Sequence, residues 1–348
     1  MNSIRNQRRY KEINVLYSIG TILVLIGHSH SSDWSTFHGT LLFHAIRFIY
    51  TFHMPLFFVI AGFLFFNSHS YDVKGIVKWI EDKATRLLVP YLFWSFIGLV
   101  PKYYVENGGL VGLSFSYILG TIVVPRQSIW GHFWFLPVLF LTYSVFALWR
   151  KFITDKNAKV MCVFSLIVFC VFYYLPITTD IAGLSDLRVS CFFFSVGVLA
   201  NVMKEDFCLA VGKMMGTGGG TGRKLLSIVY CVVITVISMV FTEFAYKYRT
   251  VGMVIGLLMV SVCVMLSRII GETKISDWIS QHNYTIYIFS WFFQSVAMVV
   301  CEHIHMGWEP LFIIMFSVGL LGPTLVILIR EKIPSLNRKW VDLVLGMR

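Results

Sequence analysis

The stretch INVLYSIGTILVLIGHSH, residues 13–30, decides the fold. Between Val15 and Ile26 it contains no charged residue and few polar ones, so it is long and apolar enough to cross a membrane as a helix. The run ends in two histidines, His28 and His30, which are one residue apart. Ionisable side chains at membrane depth are costly to bury, and these two therefore mark a candidate functional position.

The composition extends this interpretation to the whole chain. The 348 residues are 57% hydrophobic and 14% charged, and a mean hydropathy of +0.73 excludes an ordinary soluble fold. In lipid, a helix satisfies its own backbone hydrogen bonds, so we predict an all-α, polytopic integral membrane helical bundle with no separate soluble domain. About ten spans are expected, at 13–30, 52–67, 87–104, 132–149, 159–175, 189–203, 225–243, 250–267, 281–301 and 311–329.

Lysine and arginine set the expected orientation. With the N-terminus inside, 23 of the 29 Lys and Arg residues fall in inner segments, as cytoplasmic loops require. We therefore predict a cytoplasmic arm, 1–12, and a cytoplasmic tail, 330–348, on a single membrane domain, 1–348. This asymmetry also explains the net charge of +11, so membrane lipid is an expected partner and nucleic acid is not. The six outer cations are Arg47, Lys102, Arg126, Arg188, Lys247 and Arg249.

Metal binding is a minor alternative for the histidines. His28, His30 and His53 offer three imidazoles, but no cysteine ligand lies near them in the sequence. The seven cysteines form no CxxC pair and so indicate neither a zinc site nor a disulfide framework. We expect no metal.

Two motifs in this order resemble a known family. The first, residues 13–29, reads Ile-x-Val-Leu-x-x-Ile-x-x-x-Leu-Val-x-Ile-Gly-His-Ser, and the second, residues 52–63, reads Phe-His-Met-Pro-Leu-Phe-Phe-x-Ile-x-Gly-Phe. Together they resemble the start of the acyltransferase family 3 membrane enzymes, which O-acetylate surface polysaccharides and related glycans. Further similarities to the family follow at 83–91 and 130–137, and a weaker one at 283–291.

The resemblance implies a membrane O-acetyltransferase of the bacterial inner membrane. It would move an acetyl group from cytoplasmic acetyl-CoA to a sugar hydroxyl of a surface polysaccharide or a lipid-linked glycan. Lys83 and Arg86 are i, i+3 neighbours at a cytoplasmic mouth, and such a pair suits the phosphates of coenzyme A. Ordinary positive-inside residues are the equal alternative for these two cations. Tyr17 stands where the family has an arginine, and Asn14 stands where an aspartate is common.

His28 is the candidate catalytic residue. Acyl transfer to a hydroxyl needs a base or a transient acyl carrier, and imidazole suits either task because its ordinary pKa lies near neutral. A sugar also needs flat aromatic surface and hydrogen-bonding groups, and the tetrahedral intermediate needs an oxyanion donor. The candidate substrate-binding residues for these tasks are His53, His132, Trp134, Tyr17 and Ser29.

A transporter is the alternative to an enzyme. A polysaccharide exporter or a flippase for a lipid-linked glycan would also have about ten spans, because a fold does not fix a function. The sequence has no inverted repeat and no matching pair of Gly/Pro-broken spans, which disfavours a secondary transporter. A homo-oligomer is compatible with either function.

Overall fold

The computed structural model describes residues 2–66, 73–127, 130–153, 157–204, 221–336 and 338–347. All regular structure in these ranges is helical. The α-helices are α1 (Asn2–Gly27), α2 (Leu41–Tyr50), α3 (His53–Phe65), α4 (Val73–Asn107), α5 (Phe115–Val123), α6 (Phe135–Trp149), α7 (Ala158–Tyr174), α8 (Leu184–Val202), α9 (Thr221–Val240), α10 (Thr242–Lys247), α11 (Arg249–Ile270), α12 (Lys274–His303), α13 (Trp308–Lys332) and α14 (Lys339–Leu345). Short 3-10 helices lie at Trp34–Phe37, Pro125–Gln127, Gly131–Trp134, Arg150–Phe152, Ile181–Gly183 and Pro334–Leu336.

The long apolar helices confirm the all-α, multi-pass membrane fold. Within the described ranges, seven stretches are long and apolar enough to cross a membrane: Leu41–Phe65, Gly75–Tyr104, Gly131–Phe152, Ile181–Val202, Arg249–Ile270, Lys274–His303 and Trp308–Lys332. Two shorter apolar helices, Ala158–Tyr174 and Lys224–Val240, overlap two further predicted spans. The count of ten spans stays a prediction, as does the cytoplasmic location of both termini.

The second apolar stretch begins at Leu41, ahead of the predicted start at residue 52. The Thr40 side chain caps α2 by accepting a hydrogen bond from the backbone N–H of Phe43 (3.2 Å). Leu42, Phe43 and Ile46 then lie on one face of the helix and form a buried cluster with Phe37. Helix α2 therefore has an apolar face of its own ahead of α3.

The chain forms two compact units. The first unit contains Met1–Ile60 and Met203–Lys332, and within it α1 packs against α11 and α12, while α12 packs along α13. The second contains Ala61–Val202 and Ile333–Arg348, and there α4 packs against α6 and α14, while α7 packs against α8. The description of the chain as a single membrane domain, 1–348, stays a prediction.

A glycine allows the closest helix contact of the second unit. Gly62 of α3 lies so near the backbone of α8 that an added Cβ would overlap the carbonyl oxygen of Phe194. Beside this contact, the ring of Phe194 packs on Phe146 (centroids 4.4 Å apart) and on Phe65 (5.5 Å). Since backbone cannot move aside as a flexible side chain can, the α3–α8 packing requires a residue without a side chain at this position.

Gly62→Ala should therefore lower the free energy of unfolding by about 1–3 kcal/mol, the usual cost of overpacking a tight core. Gly120→Ala is the matched control, because Gly120 lies in α5 with no other atom within 4 Å of the added methyl group. That control should be neutral or should stabilise by about 0.4–1 kcal/mol. Thermal unfolding of the detergent-purified variants measures both, and equal effects would contradict the close contact.

Candidate active site at the end of the first helix

The site is organised by the buried end of α1. The last four carbonyls of a helix have no regular partner beyond its end, and where they are buried they must find partners within the protein. Two of them accept backbone hydrogen bonds here: the carbonyl of Val24 from the N–H of His28 and the carbonyl of Ile26 from the N–H of Ser29 (both 3.1 Å). Ser29 thus bonds three residues back, which leaves the carbonyl of Leu25 for other donors.

Side chains supply the donors for the other two carbonyls. The Leu25 carbonyl accepts hydrogen bonds from Ser29 Oγ (2.6 Å) and from Gln294 Nε2 of α12 (3.1 Å). The Gly27 carbonyl accepts one from the Tyr50 hydroxyl of α2 (2.6 Å). All four carbonyls are therefore satisfied, and α2 and α12 together hold the backbone that carries the predicted catalytic histidine.

The ring of His28 is half-buried between aromatic side chains. Its edge meets the ring of Trp291 with centroids 5.1 Å apart, and the ring of Tyr50 lies 6.1 Å away. Trp291 ends the stretch 283–291, which carried only a weak similarity in the sequence. The structure places that late stretch directly against the end of the first motif.

His53 is buried close to Tyr50, and one hydrogen bond fixes which of its ring nitrogens carries a proton. Its Nδ1 lies 2.9 Å from the carbonyl oxygen of Ile49, and because a carbonyl can only accept, Nδ1 carries the hydrogen. In the neutral ring, Nε2 is then a proton acceptor. The His53 ring lies 5.3 Å from the ring of Tyr50, so His28 and His53 are both neighbours of the same phenol.

His30 packs on the loop that follows α1 and also reaches Tyr50, whose hydroxyl lies 3.3 Å from its Nε2. Its Nδ1 donates to the carbonyl of Ser31 (2.6 Å), and its ring packs on Trp34 (4.6 Å) and Phe37 (5.4 Å). These contacts make it part of the loop that follows α1. Among the described residues, no group of three or more His, Cys, Asp or Glu side chains could hold a metal ion.

The loop after α1 is tied to the far end of α12. The carboxylate of Glu302 accepts hydrogen bonds from Ser31 Oγ (2.6 Å) and from the backbone N–H of Ser32 (3.1 Å). Asp33 caps the following 3-10 helix, and hydrogen bonds from Ser35 hold the pKa of its exposed carboxyl below the ordinary value. The chain on both sides of His28 is thus attached to α12.

Helix α2, which carries Tyr50, is anchored by Arg47. The guanidinium makes a bidentate pair with Glu243 (2.7 and 3.0 Å) and lies over the ring of Tyr246 at 4.0 Å. The Tyr246 hydroxyl donates in turn to the backbone carbonyl of Arg47 (2.9 Å). A planar guanidinium is suited to such combined pairing and stacking, and the arrangement fixes the turn of α2 from which Tyr50 projects.

Tyr17 lies well away from the histidines along α1. Eleven residues separate it from His28, a rise of about 16 Å. Its half-buried ring packs near Phe57 of α3, with centroids 6.4 Å apart. Substrate binding by Tyr17 stays a prediction. Substrate binding by Ser29 also stays a prediction, although its hydroxyl proton is engaged by the Leu25 carbonyl.

Asn14 bridges two carboxylates in the middle of α1. Its Nδ2 donates to Glu272 and to Asp277 (both 3.1 Å), and its Oδ1 accepts from the hydroxyl of Ser280 (3.1 Å). Lys11 lies 3.3 Å from the second oxygen of Glu272. An aspartate at position 14 would bring a third carboxylate into this group, so the amide is the side chain that fits.

The predicted donor-site cations lie on α4 in the second unit. Lys83 Nζ lies 5.0 Å from the ring centroid of Trp79 and 4.6 Å from that of Tyr143. Lys83 and Arg86 are both half-buried. Aromatic faces attract a cation, so the two rings help to position the ammonium group of Lys83.

His132 and Trp134 belong to the 3-10 helix that precedes α6, also in the second unit. The ring of His132 lies 4.4 Å from that of Phe133. The guanidinium of Arg126 lies 4.4 Å from the centroid of Trp134 and makes a bidentate pair with Asp186 (2.6 and 2.7 Å). A charged pair therefore covers one face of Trp134. Grouping of His132 and Trp134 with the first-unit histidines stays a prediction.

A family model described as "Acyltransferase domain" matches residues 10–329. The chain belongs to this acyltransferase family. Among curated proteins, it is 25% identical over 201 residues to nodulation protein NolL of Sinorhizobium fredii, covering 56% of this chain and 50% of that protein. It is 24% identical over 192 residues to NolL of Mesorhizobium japonicum, covering 54% and 48%. The chain spans about half the length of these curated relatives, and no solved structure matches it significantly.

Sequence reasoning missed two residues at the centre of this candidate site. Tyr50 and Gln294 both donate to the end of α1, yet neither belongs to a motif that pointed to the site. For Gln294 a signal existed, because it is a lone amide within the apolar stretch 286–300. A polar residue in such a span indicates a specific partner, although the sequence cannot say which one.

Asn14→Asp should destabilise the protein, because it removes two donated hydrogen bonds and adds a carboxylate beside Glu272 and Asp277. Hydrogen bonds to charged groups contribute about 1.5–3 kcal/mol when buried, and for this part-exposed group we expect a loss of about 1–2 kcal/mol. Thermal unfolding of the purified protein measures it. Adding Asp277→Asn should recover most of the loss by exchanging the two groups, and no recovery would contradict this account.

Proposed function

We propose that this acyltransferase moves an acetyl group from cytoplasmic acetyl-CoA to a sugar hydroxyl of a surface polysaccharide or a lipid-linked glycan at the bacterial inner membrane. The proposal rests on the position of the His28 imidazole. This ring lies against Trp291 at the end of α1, where the last four backbone carbonyls all accept hydrogen bonds. Membership of the acyltransferase family supplies the reaction class. The choice of acetyl-CoA and a glycan rests on the sequence resemblance.

His28 acts as the general base in this proposal. It takes the proton of the acceptor hydroxyl while the hydroxyl oxygen attacks the thioester carbonyl of acetyl-CoA. The carbon–sulfur bond then breaks, coenzyme A leaves as the thiolate, and the proton held by the imidazole is returned to the sulfur. An acetyl ester and free coenzyme A result, with no other reactant. Transient acetylation of His28 itself is the alternative route and has the same balance.

His53 is the second imidazole of the proposed site. Its Nδ1 is committed to the carbonyl of Ile49, so its Nε2 is the atom that can accept a hydrogen bond from an acceptor hydroxyl. The ring of Trp291 offers flat apolar surface beside His28, as a sugar ring requires. His53 therefore orients the acceptor, and His28 removes its proton.

His28→Ala should abolish acetylation of the surface glycan, since a general base contributes about 10²- to 10⁴-fold in rate. Mass spectrometry of the glycan from cells carrying each variant measures the acetyl groups per sugar. Protein level and membrane insertion should be unchanged.

His30→Ala is the matched control, because the His30 ring packs mainly on the loop residues Trp34 and Phe37, although its Nε2 also lies 3.3 Å from the Tyr50 hydroxyl. It should lower acetylation far less than His28→Ala. Near-normal acetylation in His28→Ala would refute the assignment and direct attention to His53. A change in the amount of glycan with unchanged acetylation would support export or lipid flipping instead of acyl transfer.

Lys83 and Arg86 bind the phosphates of the donor in this proposal. Replacing both by glutamine should raise the KM for acetyl-CoA at least about tenfold, since a charge-assisted hydrogen bond contributes about 1.5–3 kcal/mol. Activity assays in membrane vesicles measure it. Lys78→Gln, at an exposed position of α4, is the control and should leave KM unchanged. Altered orientation in the membrane without a change in KM would show that the two cations serve topology alone.

A further inference from the structure

Gln294 is a fully buried amide at the end of α1. Its side chain is 0% exposed, and Nε2 donates both to the Leu25 carbonyl (3.1 Å) and to Ser29 Oγ (3.0 Å). Ser29 Oγ donates its own proton to the Leu25 carbonyl (2.6 Å), so it can only accept from the amide. The three groups form a closed set of hydrogen bonds one residue away from His28.

The orientation of the Gln294 amide follows from this set. Turning the amide over would place its oxygen against the Leu25 carbonyl oxygen and would remove the donor from Ser29. In the orientation seen, the amide oxygen has no hydrogen-bond partner among the described residues. A buried acceptor without a partner is unfavourable. The amide is therefore oriented to donate to α1 although this leaves its own oxygen unsatisfied.

Gly319 of α13 limits the space behind the amide. A Cβ at position 319 would lie 2.8 Å from both Cδ and Nε2 of Gln294. Helix α13 thus packs directly on the amide group, and a methyl group there would push Nε2 from its place. Gly319 therefore provides a means of moving the amide without changing its chemistry.

We propose that Gln294 is a positioning residue for His28. It fixes the last turn of α1 through Ser29 and the Leu25 carbonyl, and so keeps the His28 ring against Trp291, three residues before Gln294 on α12. The role in turnover rests on the proposed function, in which His28 must meet the acceptor hydroxyl within hydrogen-bond reach. A misplacement of about 1 Å in such a group can cost about 10²-fold in rate.

The test compares Gln294→Met with wild-type protein in membrane vesicles. Methionine keeps the length of the side chain and loses both donors. Turnover should fall about 10- to 100-fold, while the KM values of acetyl-CoA and of the acceptor stay within about twofold. Gln281→Met, at an exposed position of the same helix, is the control and should retain wild-type turnover.

Two further variants separate positioning from general stability. Ser29→Ala combined with Gln294→Met should fall no further than Gln294→Met alone, because both act through one hydrogen-bonded set. Gly319→Ala keeps the glutamine and displaces its amide, so it should give an intermediate loss of turnover. If Gln294→Met does not accumulate in the membrane, the turnover of Gly319→Ala tests the positioning role in its place.

A spectroscopic measurement tests the positioning role without relying on catalytic activity. In protein labelled with 5-fluorotryptophan, the ¹⁹F signal of Trp291, identified by its loss in Trp291→Phe, should shift in both Gln294→Met and Ser29→Ala. It should not shift in Gln281→Met. If the wild-type protein transfers no acetyl group, the proposed function is refuted. The ¹⁹F measurement would still show whether Gln294 positions the end of α1 against Trp291.

Two results would overturn the positioning role. One is wild-type turnover with an unmoved Trp291 signal in Gln294→Met. The other is a raised KM for the acceptor with unchanged turnover, which would show that the amide contacts substrate directly.

Discussion

The site depends on one constraint, that carbonyls at the buried end of a helix must be hydrogen-bonded inside the protein. Helix α1 ends without a continuing turn, and Ser29 bonds three residues back, so the carbonyls of Leu25 and Gly27 need side-chain donors. Gln294 and Tyr50 provide them from α12 and α2. The hydrogen bonds that satisfy these backbone carbonyls therefore also fix the position of His28.

The fold was predictable because its signal is local. A run of apolar residues long enough to cross a bilayer is visible in the sequence alone, and each predicted span overlaps a helix of the structure. The start of α2 was not foreseen, because the Thr40 cap and the cluster around Phe37 depend on tertiary packing. His28 itself was visible as an imidazole at the end of an apolar run.

The surroundings of His28 could not be predicted for a different reason. Gln294 and Trp291 lie far from the first motif in sequence, and their contacts arise only when α12 packs on α1. Asn14 shows the same limit in the middle of α1. Its neutrality looks like a missing charge in the sequence, whereas the structure shows carboxylates from Glu272 and Asp277 already in place.

Aromatic faces are a second kind of partner for the cations of this protein. The chain has 29 Lys and Arg residues against 18 Asp and Glu, and it has 57 aromatic side chains of Phe, Tyr and Trp. Arg47 and Arg126 combine a carboxylate with a ring, and Lys83 lies over two rings. A ring face attracts a cation in addition to any hydrogen bond or ion pair that the cation makes. The rings of Trp79 and Tyr143 therefore help to fix the place of the Lys83 ammonium group, as the ring of Tyr246 does for the guanidinium of Arg47.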